Sequence, residues 1–223
     1  MYSLVTQITA HEGAVRSIAC FGASFLPQAI VTGGVDAFAR VWDGNTQLIT
    51  SLSHDHNVTS IIIDPLHHYI ITGSMDYLIR IYSFQYEEIT RLSGHSKGVI
   101  SLDIHQNTLL SGSWDGSAKV WDLSTFECIK SFEGQENGIH VCFLDEEGKK
   151  FVTVSTGEAI NNKPCHFYIR LWDLSTNALL KAPLESHNGS IRAVKKVDNI
   201  GFVTSSNDGT IRCKCLYHSL IVD

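Results

Sequence analysis

The chain has 223 residues, 43% of them hydrophobic, with only four prolines and a formal net charge of −6. This composition excludes extended disorder, and an acidic balance with no basic stripe argues against non-specific nucleic-acid binding. No run approaches the ~18 apolar residues of a membrane-spanning helix, and Met1 to His11 lacks the basic and apolar regions of a signal peptide, so neither an anchor nor a leader is expected. The six cysteines (Cys20, Cys128, Cys142, Cys165, Cys213 and Cys215) show no Cys-x-x-Cys spacing. Reduced thiols in an intracellular protein are the expectation, cytoplasmic with the nucleus as a second compartment.

Leu4 to Thr9 is predicted as a lone strand, of the kind that completes the last sheet of a ring. Repeat one (4–46) follows with strands near Arg16–Cys20, Gln28–Thr32 and Phe38–Trp42, and carries His11, Thr32, Asp36 and Trp42. Repeat two (47–86) has strands near Thr59–Ile63, Tyr69–Thr72 and Leu78–Tyr82. It carries His54, Thr72 and Asp76, with Tyr82 in the Trp place. Repeat three (87–125) has strands near Ile100–Ile104, Thr108–Ser111 and Ser117–Trp121, with His95, Ser111, Asp115 and Trp121. Repeat four (126–177) has Gln135 where His is expected, then Thr153 and Trp172, without an obvious turn Asp. Its Thr-to-Trp spacing is 19 positions against 10 in repeats one and three, an insertion around Gly157 to His166. Repeat five (178–220) has His187, Thr204 and Asp208, with Lys214 in the Trp place.

The residue types describe a buried polar relay. In repeat three a covered Trp121 indole N–H needs an acceptor, and the Ser111 hydroxyl can supply one. His95 can accept from Ser111 on one ring nitrogen and donate to Asp115 on the other, while Asp115 suits its turn by accepting backbone N–H groups. Fully satisfied, such a network pins three strands and a loop; half satisfied, it is costly. The same relay is predicted for His11, Thr32, Asp36 and Trp42, for His54, Thr72 and Asp76, and for His187, Thr204 and Asp208. A period of about 40 residues built this way is the signature of four-stranded β-propeller blades. The expected architecture is therefore all-β, one propeller over 1–223.

The chain resembles WD-repeat (WD40) proteins, and more narrowly the N-terminal propeller of the PLAA (phospholipase A-2-activating protein) family. His11-Glu-Gly-Ala-Val-Arg16, "LLSGSWDGSAKVWD" (109–122), His187-Asn-Gly-Ser-Ile-Arg192 and "SSNDGTIR" (205–212) carry the resemblance. It implies the first five blades of a seven-bladed type, truncated or open, and a role with ubiquitin in proteasome-mediated protein catabolism. The altered fourth repeat and the absence of two further blades depart from the family. So does the absence of its downstream ubiquitin-binding and ATPase-binding domains, and an AAA ATPase partner follows only if such domains exist.

Three positions per repeat are expected to build the exposed rim, flanking the apolar residue after the His or preceding the turn Asp. These include Arg16, Thr59, Met75, Ile100, Trp114, His140, Arg192 and Asn207, with Trp114, Met75 and Ile100 as an apolar centre. Trp and Arg are common anchors of protein interfaces, which points to a protein partner. The alternative role for Trp114 is to cover its neighbouring blade. Other chemistry is weaker. Gly94-His-Ser-Lys-Gly98 matches a nucleophile elbow, but an apolar, β-branched run follows it where a helix is needed. His54-Asp-His56 and His67-His68 lack zinc-finger spacing. Cys213-Lys-Cys215 reads as two buried thiols of one strand. The sequons at Asn57 and Asn188 carry no weight in a reduced compartment. No catalysis, cofactor, metal, nucleic acid or membrane partner is expected. The reading is a protein-interaction module, for ubiquitin or ubiquitylated partners, with a generic WD40 scaffold as the alternative.

Overall fold

The computed structural model describes residues 7–20, 29–134, 137–143, 145, 147–156, 167–180, 184–197 and 201–215. These form two compact units, Met1–Gly94 and His95–Asp223. Among the described residues the regular structure is all strand, in antiparallel sheets built in chain order.

The first unit holds two four-stranded sheets. β1 (Val15–Cys20), β2 (Ala29–Gly34), β3 (Phe38–Asp43) and β4 (Leu48–Ser53) make one; β5 (Val58–Asp64), β6 (Tyr69–Ser74), β7 (Ile79–Ser83) and β8 (Glu88–Leu92) make the other. The second unit opens with β9 (Val99–His105), β10 (Thr108–Ser113), β11 (Ala118–Asp122) and β12 (Glu127–Phe132). Its next sheet has β13 (Gly138–Phe143), β14 (Lys150–Thr156) and β15 (Phe167–Asp173). There the outer position is shared by β16 (Ala178–Leu179) and β17 (Leu184–His187), which both pair with β15. The last sheet has three described strands, β18 (Ile191–Val197), β19 (Gly201–Ser206) and β20 (Ile211–Cys215). Repeats two to five thus each lend their opening strand or strands to the preceding sheet and build three strands of their own.

The second strands are nearly continuous apolar or small runs because both of their faces are covered. In β6 and β10 every residue after the first is buried. Within the first unit, Val31, Val41, Val58 and Ile61 join the two sheets in one core. Within the second, Leu110, Val120, Ile139 and Phe151 join its first two sheets, and Val152, Ile169, Ile191 and Phe202 join its last two. Gly112 has to be glycine at this approach, since a Cβ there would stand 2.3 Å from the Ile139 carbonyl oxygen. Hydroxyls and a carboxylate stitch neighbouring sheets: the Ile61 N–H donates to Ser17 Oγ (2.9 Å), the Val141 N–H to Ser101 Oγ (3.2 Å) and the Phe143 N–H to Asp103 Oδ2 (2.7 Å).

Two sheet faces lack this cover. Val15 and Ile18 of β1 are 50% and 64% exposed, while Val58 and Ile61, their counterparts in β5, are 0% and 5% exposed. Ile211 of β20 is 77% exposed, whereas its counterpart Ile169 of β15 is 1% exposed. The same uncovered face leaves Cys213 exposed, which corrects the expectation of a buried thiol there. Of the predicted N-terminal strand, Leu4 to Thr6 lie outside the described residues, and Gln7 to Thr9 are not in a strand. Gln135 and the insertion at 157–166 also lie outside them.

Candidate functional site

The relay is complete in the sheet of β9–β12. His95 Nε2 meets Ser111 Oγ at 2.8 Å, the Trp121 indole N–H donates to the same oxygen at 2.9 Å, and His95 Nδ1 meets Asp115 Oδ2 at 2.9 Å. Asp115 also accepts the Ser96 and Ser117 N–H groups and the Ser117 hydroxyl. Burial pushes its carboxyl up, but the bonds from His95, Ser117 and the Ser96 N–H outweigh that and hold it well below the ordinary carboxylate range. The last sheet repeats the two histidine links, with Lys214 in the Trp place. His187 bridges Thr204 (2.8 Å) and Asp208 (2.9 Å), and the Thr210 hydroxyl donates to the same carboxylate. The Thr210 hydroxyl is the largest influence in holding the Asp208 carboxyl low.

In the sheet of β1–β4, His11 bridges Thr32 and Asp36 at 2.8 Å each, and the Trp42 N–H donates to Thr32 at 2.9 Å. Arg40 adds a 2.6 Å pair to Asp36. The sheet of β5–β8 departs from expectation. His54 Nε2 meets Thr72 Oγ1 at 2.8 Å, but its Nδ1 faces the Leu52 carbonyl at 3.1 Å and not Asp76. Asp76 is held by the fully buried Arg80, which also reaches Asp55. Burial, and then the charge of Arg80, pull the His54 imidazole down to about 4. A neutral ring donating to a carbonyl is the arrangement such a site favours. Tyr82 has no ring N–H to offer Thr72, and its own buried hydroxyl has no partner among the described residues. In the fourth sheet the Trp172 N–H donates to Thr153 at 3.0 Å.

Sequence reasoning missed how each turn Asp is supported. In the first unit an Arg four residues on does it, Arg40 and Arg80; in the second a hydroxyl two residues on does it, Ser117 and Thr210. Both offsets are visible in the sequence.

The expected rim residues fall into two sets. In the first unit Arg16 is exposed, while Thr59 and Met75 are half-buried, and the Thr59 hydroxyl donates to the Gly73 carbonyl. In the second unit Arg192 and Asn207 are exposed, with the Arg192 Nε donating to Asn207 Oδ1 at 3.0 Å. Ile100, Trp114 and His140 are half-buried. The Trp114 ring lies against Gly138 of β13, where a Cβ would stand 2.5 Å from its Cε3. Trp114 therefore covers the neighbouring blade and is only in part an exposed anchor. His140, two residues along β13, is pulled down to about 4, by burial first and then by Arg192.

The other residues singled out in the sequence are engaged as follows. Ser96 is followed by strand β9, and the ring of His95 is engaged by Ser111 and Asp115. His67 pairs with Asp64, and among the described residues no group of three His, Cys, Asp or Glu is placed to hold a metal. Burial and the nearby Asp103 push the Cys142 thiol up to about 12, against formation of a thiolate. Among the described residues no helix is long and apolar enough to cross a membrane.

Comparison with known proteins follows this geometry. The family model described as WD domain, G-beta repeat matches residues 2–43, 46–83 and 86–122. The chain is 24% identical over 226 residues to an F-box/WD-40 repeat-containing protein of Arabidopsis thaliana, covering 95% of the chain and 39% of that protein. It is 26% identical over 240 residues to the serine-threonine kinase receptor-associated protein of Gallus gallus, covering 91% and 67%. It is 28% identical over 181 residues to pre-mRNA-processing factor 17 of Homo sapiens, covering 78% and 28%. The chain thus spans about two fifths of the first of these relatives and about two thirds of the second. Among solved structures, U3-55K superposes with a TM-score of 0.78 at 18% identity, covering 94% of this chain and 63% of that one. The WD40 β-propeller domain of Doa1 also superposes with a TM-score of 0.78, at 21% identity, covering 96% and 69%. With three matched repeats spanning more than half of its length, and the His, Ser or Thr, Asp and Trp relay complete in the first and third of them, the chain belongs to the WD40-repeat family.

Proposed function

We propose that this WD40 scaffold binds ubiquitin, or a ubiquitylated partner, through the surface carrying Trp114 and Arg192, and serves ubiquitin-dependent protein turnover. The coarser part rests on the family: WD40 propellers are protein-interaction scaffolds, typically without catalysis. The finer part is carried by the Ser111-Gly-Ser-Trp-Asp115 turn, which resembles the PLAA family and sets Trp114 beside β13. An action in the cytoplasm, with the nucleus as a second site, suits reduced thiols. An AAA ATPase enters only if domains beyond these repeats belong to the protein.

The test is a titration of isotope-labelled chain with ubiquitin, followed by NMR, with Trp114→Ala and Arg16→Ala alongside. Shifts that weaken in Trp114→Ala are expected; no shifts at millimolar ubiquitin end the reading. A generic scaffold for an unrelated complex is the second reading. It is favoured by relatives whose names place them with F-box, kinase-receptor and pre-mRNA-processing systems. A specific pull-down partner carrying no ubiquitin supports it.

A further inference from the structure

Within the second unit a strip of side chains runs across three sheets: Trp114 against Gly138, His140 two residues along the same strand, Arg192 near His140, and Asn207 bonded to Arg192. We infer that this strip receives a carboxylate side chain of a protein partner, with Arg192 taking the charge and Trp114 packing an apolar neighbour of that acid. The inference rests on the reading that this surface binds protein, and adds the chemistry of the bound segment.

The charge accounting carries it. Arg192 is exposed and makes no ion pair among the described residues. Its Nε is spent on Asn207, which orients the guanidinium and leaves its two terminal nitrogens for a planar acceptor. The acids of the neighbouring turns cannot answer it. Asp115 is taken by His95, Ser96 and Ser117, and Asp208 by His187, Asn188 and Thr210. His140 adds no second positive charge at neutral pH, because burial and Arg192 keep it unprotonated. The result is one oriented cation on the sheet next to the one whose Gly138 the Trp114 ring covers, on a chain whose net charge is −6. One such cation suits a single carboxylate; a nucleic-acid backbone calls for several along a track.

The experiment selects a phage-displayed random linear peptide library on the full chain, and in parallel on Arg192→Ala, Arg192→Lys and Trp114→Ala. The wild-type pool should be rich in Glu or Asp beside apolar residues. Arg192→Ala should lose the acids, Arg192→Lys should keep them in part, and Trp114→Ala should lose the apolar neighbour. In the tightest peptide synthesised, Glu→Gln should weaken binding about tenfold or more, as expected for losing a charge-assisted bond, and added salt should weaken the parent peptide only. A pool without acid enrichment, an acid preference that survives Arg192→Ala, or no binder at all overturns the inference. Ubiquitin shifts with an acid-free pool sink this inference alone. Acid-rich binders with no ubiquitin shifts sink the ubiquitin reading alone.

Discussion

Arg80 holds Asp76 at 2.5 Å in the one sheet whose His makes no bond to its turn Asp, whereas Asp36 keeps His11 as well as Arg40, and His95 and His187 keep Asp115 and Asp208. A guanidinium buried this deeply needs anionic company, and Asp76 with Asp55 supplies it. His54 then turns to the Leu52 carbonyl and stays neutral. This sheet shares the arginine clamp of the first, with Arg80 in the place of Arg40, but lacks the His-to-Asp link and has exchanged its Trp for Tyr82.

Tyr82→Phe tests that exchange. The Tyr82 hydroxyl is buried without a partner among the described residues, and burial and Glu88 push its ionisation up to about 12. Removing an unsatisfied polar atom should leave stability unchanged or raise it by about 1 kcal/mol. A loss above that in urea denaturation would show that the hydroxyl is bonded after all.

Ser111→Ala should be far more damaging. Ser111 serves both His95 and Trp121, so its loss leaves two buried groups unsatisfied, at a cost of about 2–4 kcal/mol. Thr204→Ala strands only His187 among the described residues and should cost less. Chemical denaturation of both variants checks the order, and equal costs would contradict it.

Acid should weaken the fold in two stages. The His54 imidazole sits at about 4 against an ordinary 6.5, as does that of His140. Between those values the unfolded chain takes up protons that the folded chain refuses, so stability rises with pH across that interval and levels off above it. Asp36 and Asp115 are held below their ordinary 3.8. Their contribution is complete above that value and fades as pH falls below it. Melting temperature against pH should show both stages, and His140→Gln should roughly halve the slope of the first. An unchanged slope would remove His140 from the account.

The turn before β7 offers a stabilising change. Tyr77 has φ 77°, and Gly116 occupies the corresponding turn of the next repeat with φ 78°. A side chain in this left-handed region is strained, and Tyr77 is exposed. Tyr77→Gly should raise stability by up to about 1 kcal/mol, the relief of strain exceeding the added freedom of the unfolded chain. A lower melting temperature would refute this.

Ile61→Ala and Ile18→Ala form a matched pair at equivalent strand positions. The first empties a packed site and should cost about 2–4 kcal/mol; the second removes exposed surface and should change stability by less than about 0.5 kcal/mol. Similar costs would mean that Ile18 is covered in solution.

The strands and the relay were legible in the sequence because both depend on local spacing: apolar residues around Thr32, Ser111 and Thr204, and a His and an Asp at set distances. Tyr82 announced a changed sheet, yet the displacement of His54 was not legible, since Arg80 lies on a strand that also reads as ordinary alternation. The position of Trp114 depended on Gly138, far along the chain in the next repeat, whose missing side chain makes room for the ring. Cys213 was misread because its burial requires a neighbouring sheet, and no residue of its own strand reports whether one is there.

Ile18 and Ile211 bear on how the protein is to be handled at the bench. Each stands exposed on a strand of its own unit, β1 in the first and β20 in the second, so any apparent affinity mixes recognition with simple stickiness. The fitting reagent for partner titrations is the Ile18→Ser, Ile211→Ser double variant, which leaves Trp114 and Arg192 as they are.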